Sequence, residues 1–417
     1  MPFPRFDTVT KRNYWIHVTE GALYLSSSVL LSPQTVFPAL VIQLGGTNLA
    51  VGAIPIIVYL MYYLPQIVSA NYIRGTPFRR AWTLRLGILQ RIQVLFLAVI
   101  IAIFGLRLPA LALGMFFILY VLNQMLGGLG SPVWFDLVVK TTDPGDRGKL
   151  MGLRLSIGGF LGILNGFFLT AILTFAAFPY NFAAVFILAF LFQFSSYLVL
   201  RNVKETEHSI VAEQVSLATL VARVRSIVKR DAVFRKFLVS VALSTVGLMP
   251  MGFFIIAATR QFSLPGSFVG LFTITMMVAQ VLSGVSLGIL ADNKGHRTAL
   301  LVCASASALA TLLALVAGSV ALYFAVFFFV GVNLGAEMIT RYNYVERLAP
   351  VSDRPLYVGI MNAWLAPFYF SATLGGWLVD RWGFEVVFVP GLLATLSGIA
   401  VLRVLPDPVA ITKQPSR

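Results

Sequence analysis

Charge is scarce in this sequence: Asp, Glu, Lys and Arg make up 11% of 417 residues, while 58% are apolar. So little polar material cannot cover a water-soluble globule of this length, which excludes an ordinary soluble enzyme. Acidic residues are scarcer than basic ones, 16 against 31, for a net charge of +15. The basic residues sit in short clusters between apolar blocks, so the charge reports topology and not nucleic-acid binding. The single cysteine, Cys303, lies in an apolar stretch, which excludes an intramolecular disulfide and a Cys-based metal site. With three histidines in the chain, His17 and Glu20 are two potential metal ligands without a third nearby. No phosphate-binding G-x-x-x-x-G-K-[ST] loop occurs. Neither enzyme chemistry nor a metal or cofactor is expected.

What is present is a succession of apolar blocks too long for the alternating strands of an outer-membrane barrel. Twelve membrane-spanning helices are predicted, at 14–42, 49–72, 81–104, 110–139, 148–175, 181–200, 234–258, 267–291, 298–316, 320–342, 355–379 and 384–403. Pro33 and Pro38 should kink the first, and with no cleavage pattern before it, it should remain as an anchor. If the N-terminus is cytoplasmic, the outer loops hold Arg107, Arg260 and Arg381, and the other 28 of 31 basic residues fall inside or at adjoining helix ends. The positive-inside rule therefore places both termini in the cytoplasm. Short loops and lean termini suit a bacterial inner membrane.

The one long connection, between spans six and seven, divides the chain into residues 1–203, a linker at 204–232, residues 233–410 and a tail at 411–417. In the linker, Val211, Val215, Ala218, Val221, Val224 and Val228 recur at helical spacing, with Arg223, Arg225, Lys229 and Arg230 on a basic side. This predicts an amphipathic helix on the inner leaflet, either sensing lipid or serving as a spacer under the bundle. Asp146-Arg147 with Gly152 after span four matches Asp353-Arg354 with Gly359 after span ten, as two pseudo-twofold related six-helix halves would predict.

The most informative string joins spans eight and nine: Gly288-Ile289-Leu290-Ala291-Asp292-Asn293-Lys294-Gly295-His296-Arg297. It resembles the signature loop of the major facilitator superfamily, G-x-L-A-D-x-x-G-x-R/K. Gly288 should permit close helix approach, Asp292 accept hydrogen bonds at a helix end, Gly295 make the turn and Arg297 supply the counter-charge. The resemblance implies the superfamily fold, and for Gly288, Asp292, Gly295 and Arg297 a latch that breaks as the two halves rock; otherwise the loop is a turn with a surface ion pair. The counterpart at Ser69–Arg80 keeps the basic residues without the Asp. The 375–384 loop also resembles the family. The drug-antiporter pattern of span five is not met: Gly158, Gly159, Gly162 and Gly166 fit close helix packing instead.

Ionisable residues near the membrane interior must be paired or wet. Glu337 and Arg341, four apart, share a helical face, as a protonatable gate or a structural ion pair. Asp136 and Arg154, at facing ends of spans four and five, are expected to form a structural or gating salt bridge, in one network with Glu20, His17 and Arg85 or Arg91. The family arrangement implies a cavity lined by spans 1, 2, 4, 5, 7, 8, 10 and 11. On these lie Gln34, Tyr59, Tyr62, Asn123, Gln124, Asn165, Thr245, Gln280, Asn333, Asn362 and Trp364, each either lining the cavity or bonding between helices. Gln90, Gln93 and Gln193, on spans 3 and 6, depart from that pattern.

The expectation is a monomeric secondary active transporter, moving a neutral, zwitterionic or amphipathic solute by alternating access. Its partners are the small-molecule substrate, membrane lipids and protons as a candidate coupling ion through Glu337 or Glu20. A non-transporting receptor or lipid-handling protein on the same scaffold is the alternative.

Overall fold

The computed structural model describes residues 8–73, 78–205, 217–350 and 353–407. Helix dominates, and no strand occurs among the described residues. The first set of helices is α1 (Thr8–Ser27), α2 (Val36–Gln43), α3 (Asn48–Ile73), α4 (Arg80–Phe104), α5 (Pro109–Thr141), α6 (Arg147–Phe175) and α7 (Tyr180–Leu200). After α8 (Leu217–Arg230) comes the second set: α9 (Ala232–Gly247), α10 (Phe254–Gln261), α11 (Ser267–Lys294), α12 (His296–Leu315), α13 (Val320–Leu348), α14 (Arg354–Leu365), α15 (Phe370–Trp382) and α16 (Glu385–Arg403).

Ten stretches are long and apolar enough to cross a membrane, with α9 and α10 counted together as Ala232–Gln261. The other two predicted spans, 14–42 and 355–379, are each divided between two shorter helices. Every break contains proline, which removes a backbone donor and clashes with the preceding turn. Pro33 lies between α1 and α2, Pro250 in the 3-10 turn Met249–Gly252, and Pro367 in the 3-10 turn Ala366–Tyr369. At the first break, the Ser32 hydroxyl accepts from the backbone N–H groups of Gln34 and Thr35, at 3.3 and 3.2 Å, so the interrupted backbone keeps partners in an apolar setting.

Within the first set, α1 packs on α6 and α7, and α5 on α3 and α4; within the second, α13 packs on α11 and α12, and α16 on α9 and α12. Two seams join the sets, α3 with α15 and α6 with α11. Residues 8 and 407 lie at one face of the molecule, here the terminal face; Arg107, Arg260 and Arg381 lie at the opposite, distal face, as the charge pattern predicts.

The seams are tight toward the distal face. A Cβ on Gly270 would collide with Thr170, and one on Gly166 or Gly159 would press on Ile274 or Val281, while one on Gly162 would press on Val29 and only touch Met277. The same stripe continues toward the terminal face with exposed Leu155 on α6 and exposed Val285 on α11, and with open space beside Gly152 and Gly288. Along α6 and α11 the two sets therefore touch in their distal halves and part in their terminal halves, while Tyr342 of α13 still reaches the Tyr63 hydroxyl of α3 at 3.5 Å. The close packing expected of Gly158, Gly159, Gly162 and Gly166 is present, Gly158 seating against Leu25 and Ala22 of α1. The close approach expected at Gly288 is absent, because the helices have diverged there.

In the linker helix, Val224, Ile227 and Val228 pack against a core containing Phe234, Tyr344 and Tyr357, while Arg223, Arg225, Lys229 and Arg230 are exposed. Val211 and Val215 fall outside the described residues.

Candidate functional site

The three helix breaks converge. Between the two sets lies a cavity of about 70 Å³, whose wall takes Pro33 and Gln34 from the first break, Met249 and Gly252 from the second and Tyr369 from the third. Tyr59 of α3 stacks on Tyr369 across the seam, with ring centroids 3.5 Å apart and planes 10° from parallel. Of the predicted cavity residues, Gln34, Tyr59 and Thr245 line this space.

A larger cavity, about 190 Å³, lies inside the first set. Tyr62, Asn123 and Gln124 line it as predicted, joined by Tyr24, Ser27, Ser28 and Tyr120. Its wall also includes Gln90, Gln93 and Gln193, the residues of α4 and α7 that did not fit the family layout. Their signal in the sequence was chemical: an amide in an apolar helix needs a partner whichever helix carries it. The amides are linked, Gln90 Nε2 donating to the Tyr24 hydroxyl at 3.2 Å and Asn123 Nδ2 to the Gln90 backbone carbonyl at 2.9 Å.

The remaining candidates are elsewhere. Asn165 and Asn333 are buried and donate to the backbone carbonyls of Ser26 and Cys303, joining helices. Asn333 also touches a water-sized cavity of about 20 Å³ beside Glu337. Trp364 Nε1 donates to the Leu238 carbonyl and Asn362 accepts from the Tyr342 hydroxyl. Gln280, Asn362 and Trp364 line neither the cavity between the sets nor the one inside the first set.

The predicted Asp136–Arg154 bridge is not formed. Arg154 turns inward, donating to Glu20 at 3.1 Å, and lies over the Trp134 ring with its carbon 4.3 Å from the centroid. Gly21, next to Glu20, leaves the space the guanidinium fills, since a Cβ there would collide with it. Glu20 also faces Arg91 at 4.0 Å, and all three side chains are buried. Arg91 is further satisfied by the Gln193 carbonyl at 2.7 Å, the Gly87 carbonyl at 3.0 Å and the Ser196 hydroxyl at 3.1 Å. Asp136 instead accepts from Arg79 at 2.5 Å. His17 joins Thr141 at 2.8 Å rather than Glu20. Glu205, not singled out in the sequence, accepts from the backbone N–H groups of Arg79 and Arg80 and pairs with Lys140 at 3.4 Å, tying the linker to the start of α4. Glu337 and Arg341 form the predicted pair, at 3.1 Å.

At the 288–297 loop, Gly295 has φ +93°, where glycine is favoured, and a Cβ there would strike the Asp407 carboxylate. Arg297 donates to the Leu405 carbonyl at 2.5 Å, clamping the loop to the end of α16 within its own set. Asp292 is exposed and makes no ion pair among the described residues. On the distal face, Asp380 of α15 accepts from the Asn48 and Leu49 backbone N–H groups, each at 3.0 Å, and from Asn48 Nδ2 at 2.7 Å.

The Major Facilitator Superfamily profile matches residues 237–417. No curated protein matches the chain. Among solved structures, a mutant of the nucleoside transporter NupG is similar at 10% identity and a TM-score of 0.72, covering 95% of this chain and 100% of its own. A D-xylose-proton symporter is similar at 16% and 0.68, covering 96% and 99%. A bacterial homologue of the iron transporter ferroportin in its inward-facing state is similar at 17% and 0.67, covering 94% and 98%; its outward-facing state gives 0.57. The second half of this membrane protein thus matches the Major Facilitator Superfamily profile, and the chain shares its fold with these transporters along nearly its whole length.

Proposed function

We propose that the protein is a secondary active transporter with twelve membrane crossings, moving a small organic solute by alternating access between residues 1–203 and 233–410. Both termini are cytoplasmic, in a bacterial inner membrane, and the working unit is a monomer. The observation that carries this reading is the one-sided closure of the α6–α11 seam: glycine-tight packing toward the distal face, exposed Leu155 and Val285 toward the terminal face, and cavities at the helix breaks between. That arrangement is an inward-facing state, and the higher TM-score to the inward-facing ferroportin homologue, 0.67 against 0.57, supports it.

In alternating access, the distal contacts release and the terminal halves close around the same cavities. The latch role of Gly288, Asp292, Gly295 and Arg297 belongs to that second state, in which Asp292 meets the opposite set. Glu337 beside its small cavity is the candidate proton site. The amide- and tyrosine-rich walls favour a solute without net charge. The test is counterflow in sealed liposomes: purified protein preloaded with unlabelled solute should accumulate the labelled form transiently without ATP. Binding without counterflow for any bound solute overturns transport in favour of a receptor.

A further inference from the structure

We infer that the cavity inside the first set of helices is the seat of the transported solute, and that it takes an uncharged, ring-sized molecule bearing several hydroxyl or amide groups. This rests on the transport reading above and adds to it the place and chemistry of the substrate.

Gln193 carries the argument. The residue is 5% exposed and stands on the cavity wall, and its carboxamide oxygen is buried with no hydrogen-bond partner among the described residues. A buried acceptor left unmatched is unfavourable, and a donor brought to this wall by a bound solute would relieve it. Neighbouring amides do not supply it: Gln90 donates to Tyr24, Asn123 to the Gln90 carbonyl, and Gln124 to Asn123 Oδ1 at 3.4 Å. From behind, the Gln193 backbone carbonyl is held by the Arg91 guanidinium at 2.7 Å, which fixes the residue on the wall.

The wall selects against charge. No ionised side chain lines the cavity, and the nearby Arg91 is directed at Gln193, Gly87 and Ser196. A charged ligand would leave water without a counter-charge, whereas carboxamides and hydroxyls both donate and accept and so match hydroxyl or amide groups. The aromatic side chains of Tyr24, Phe37 and Tyr120 offer apolar surface to a ring. The volume of about 190 Å³ exceeds the roughly 150 Å³ that accommodates benzene. Ser27, Ser28 and Pro33 on the wall place the seat at the α1–α2 break, where bending of the chain during alternation can open or close it.

The test uses the full-length protein in nanodiscs, with D-glucose and uridine as neutral probes and glucose 6-phosphate, glucosamine and uridine monophosphate as charged ones. Calorimetry should show saturable binding of a neutral probe and at least tenfold weaker binding of its charged counterparts. Gln193→Leu should weaken that binding about tenfold, the order of one hydrogen bond to a buried group, with an unchanged or higher Tm. Gln124→Leu, on a different helix, should weaken it as well and serves if the first variant does not fold. Unchanged affinity in the folded variants, preference for a charged probe, or no neutral binding at millimolar concentration overturns the proposal. Counterflow of charged solutes alone would sink this inference and leave transport standing; neutral binding at Gln193 without counterflow would do the reverse.

Discussion

Asp380 caps a helix that belongs to the opposite half of the molecule. Its carboxylate takes the N–H groups of Asn48 and Leu49 and the Asn48 amide, satisfying donors at the start of α3 that have no partner within the helix. A carboxylate also suits the positive end of the helix dipole. In the proposed alternation this contact parts when the distal face opens, so Asp380→Ala should cost the closed state roughly 1–2 kcal/mol, a shift in population of about five- to thirtyfold. Distances between spin labels on the distal loops should lengthen, while fold and Tm are largely retained because α3 stays packed on α5. An unchanged distance distribution would make the cap incidental.

Gly376 and Gly52 set how closely α3 and α15 approach. A Cβ on Gly376 would collide with the Asn48 carbonyl, and one on Gly52 with the Ala372 carbonyl, so backbone and not a movable side chain stands in the way. Gly376→Ala should wedge the distal seam open. In this background Met251→Cys, at the central cavity, should react severalfold faster with a membrane-impermeant maleimide applied from the distal side. The native Cys303 is fully buried and contributes little signal. Equal labelling rates would mean that the seam yields elsewhere.

How much of this was legible before the structure depends on the kind of signal. Helix positions were, because a membrane-length apolar run needs no tertiary information. The breaks at Pro250 and Pro367 were not, since Pro55, Pro65, Pro132 and Pro390 sit in unbroken helices and proline alone does not decide between a bend and a break. Among charge pairs, Glu337 with Arg341 could be read from four-residue spacing, whereas Asp136 with Arg79 and Arg154 with Glu20 depend on helix rotation, which composition does not encode. Gln90, Gln93 and Gln193 were visible as buried amides, but a layout borrowed from the family drew attention from the helices that carry them.

The Glu20–Arg154 pair allows a direct energetic test. Glu20→Gln would leave Arg154 without its only hydrogen-bonded carboxylate, and breaking a buried pair this way costs roughly 3–5 kcal/mol. Arg91, with three other acceptors, should suffer less. A large drop in Tm is expected for Glu20→Gln, and the double variant Glu20→Gln with Arg154→Met should recover most of it, because a neutral, well-filled replacement avoids the desolvation of both ions. Additive losses in the double variant would show that the two residues act independently.

Glu337 offers the opposite case, a carboxylate with a single charged partner and a side chain 20% exposed beside a small cavity lined by Thr245, Ser307 and Asn333. The volume of about 20 Å³ suits one water, which needs at least about 10–15 Å³, and water next to a carboxylate gives a proton a route to it. If Glu337 couples proton and solute movement, Glu337→Gln should still bind solute and exchange it across the membrane, because neither step requires net proton transfer. It should fail to concentrate solute under an imposed pH gradient, with loss of nearly all gradient-driven uptake at every pH. Binding, exchange and gradient-driven uptake measured on one liposome preparation separate these steps. Normal accumulation by Glu337→Gln across the pH range would assign the residue to holding Arg341 in place, and the coupling site would have to be sought elsewhere.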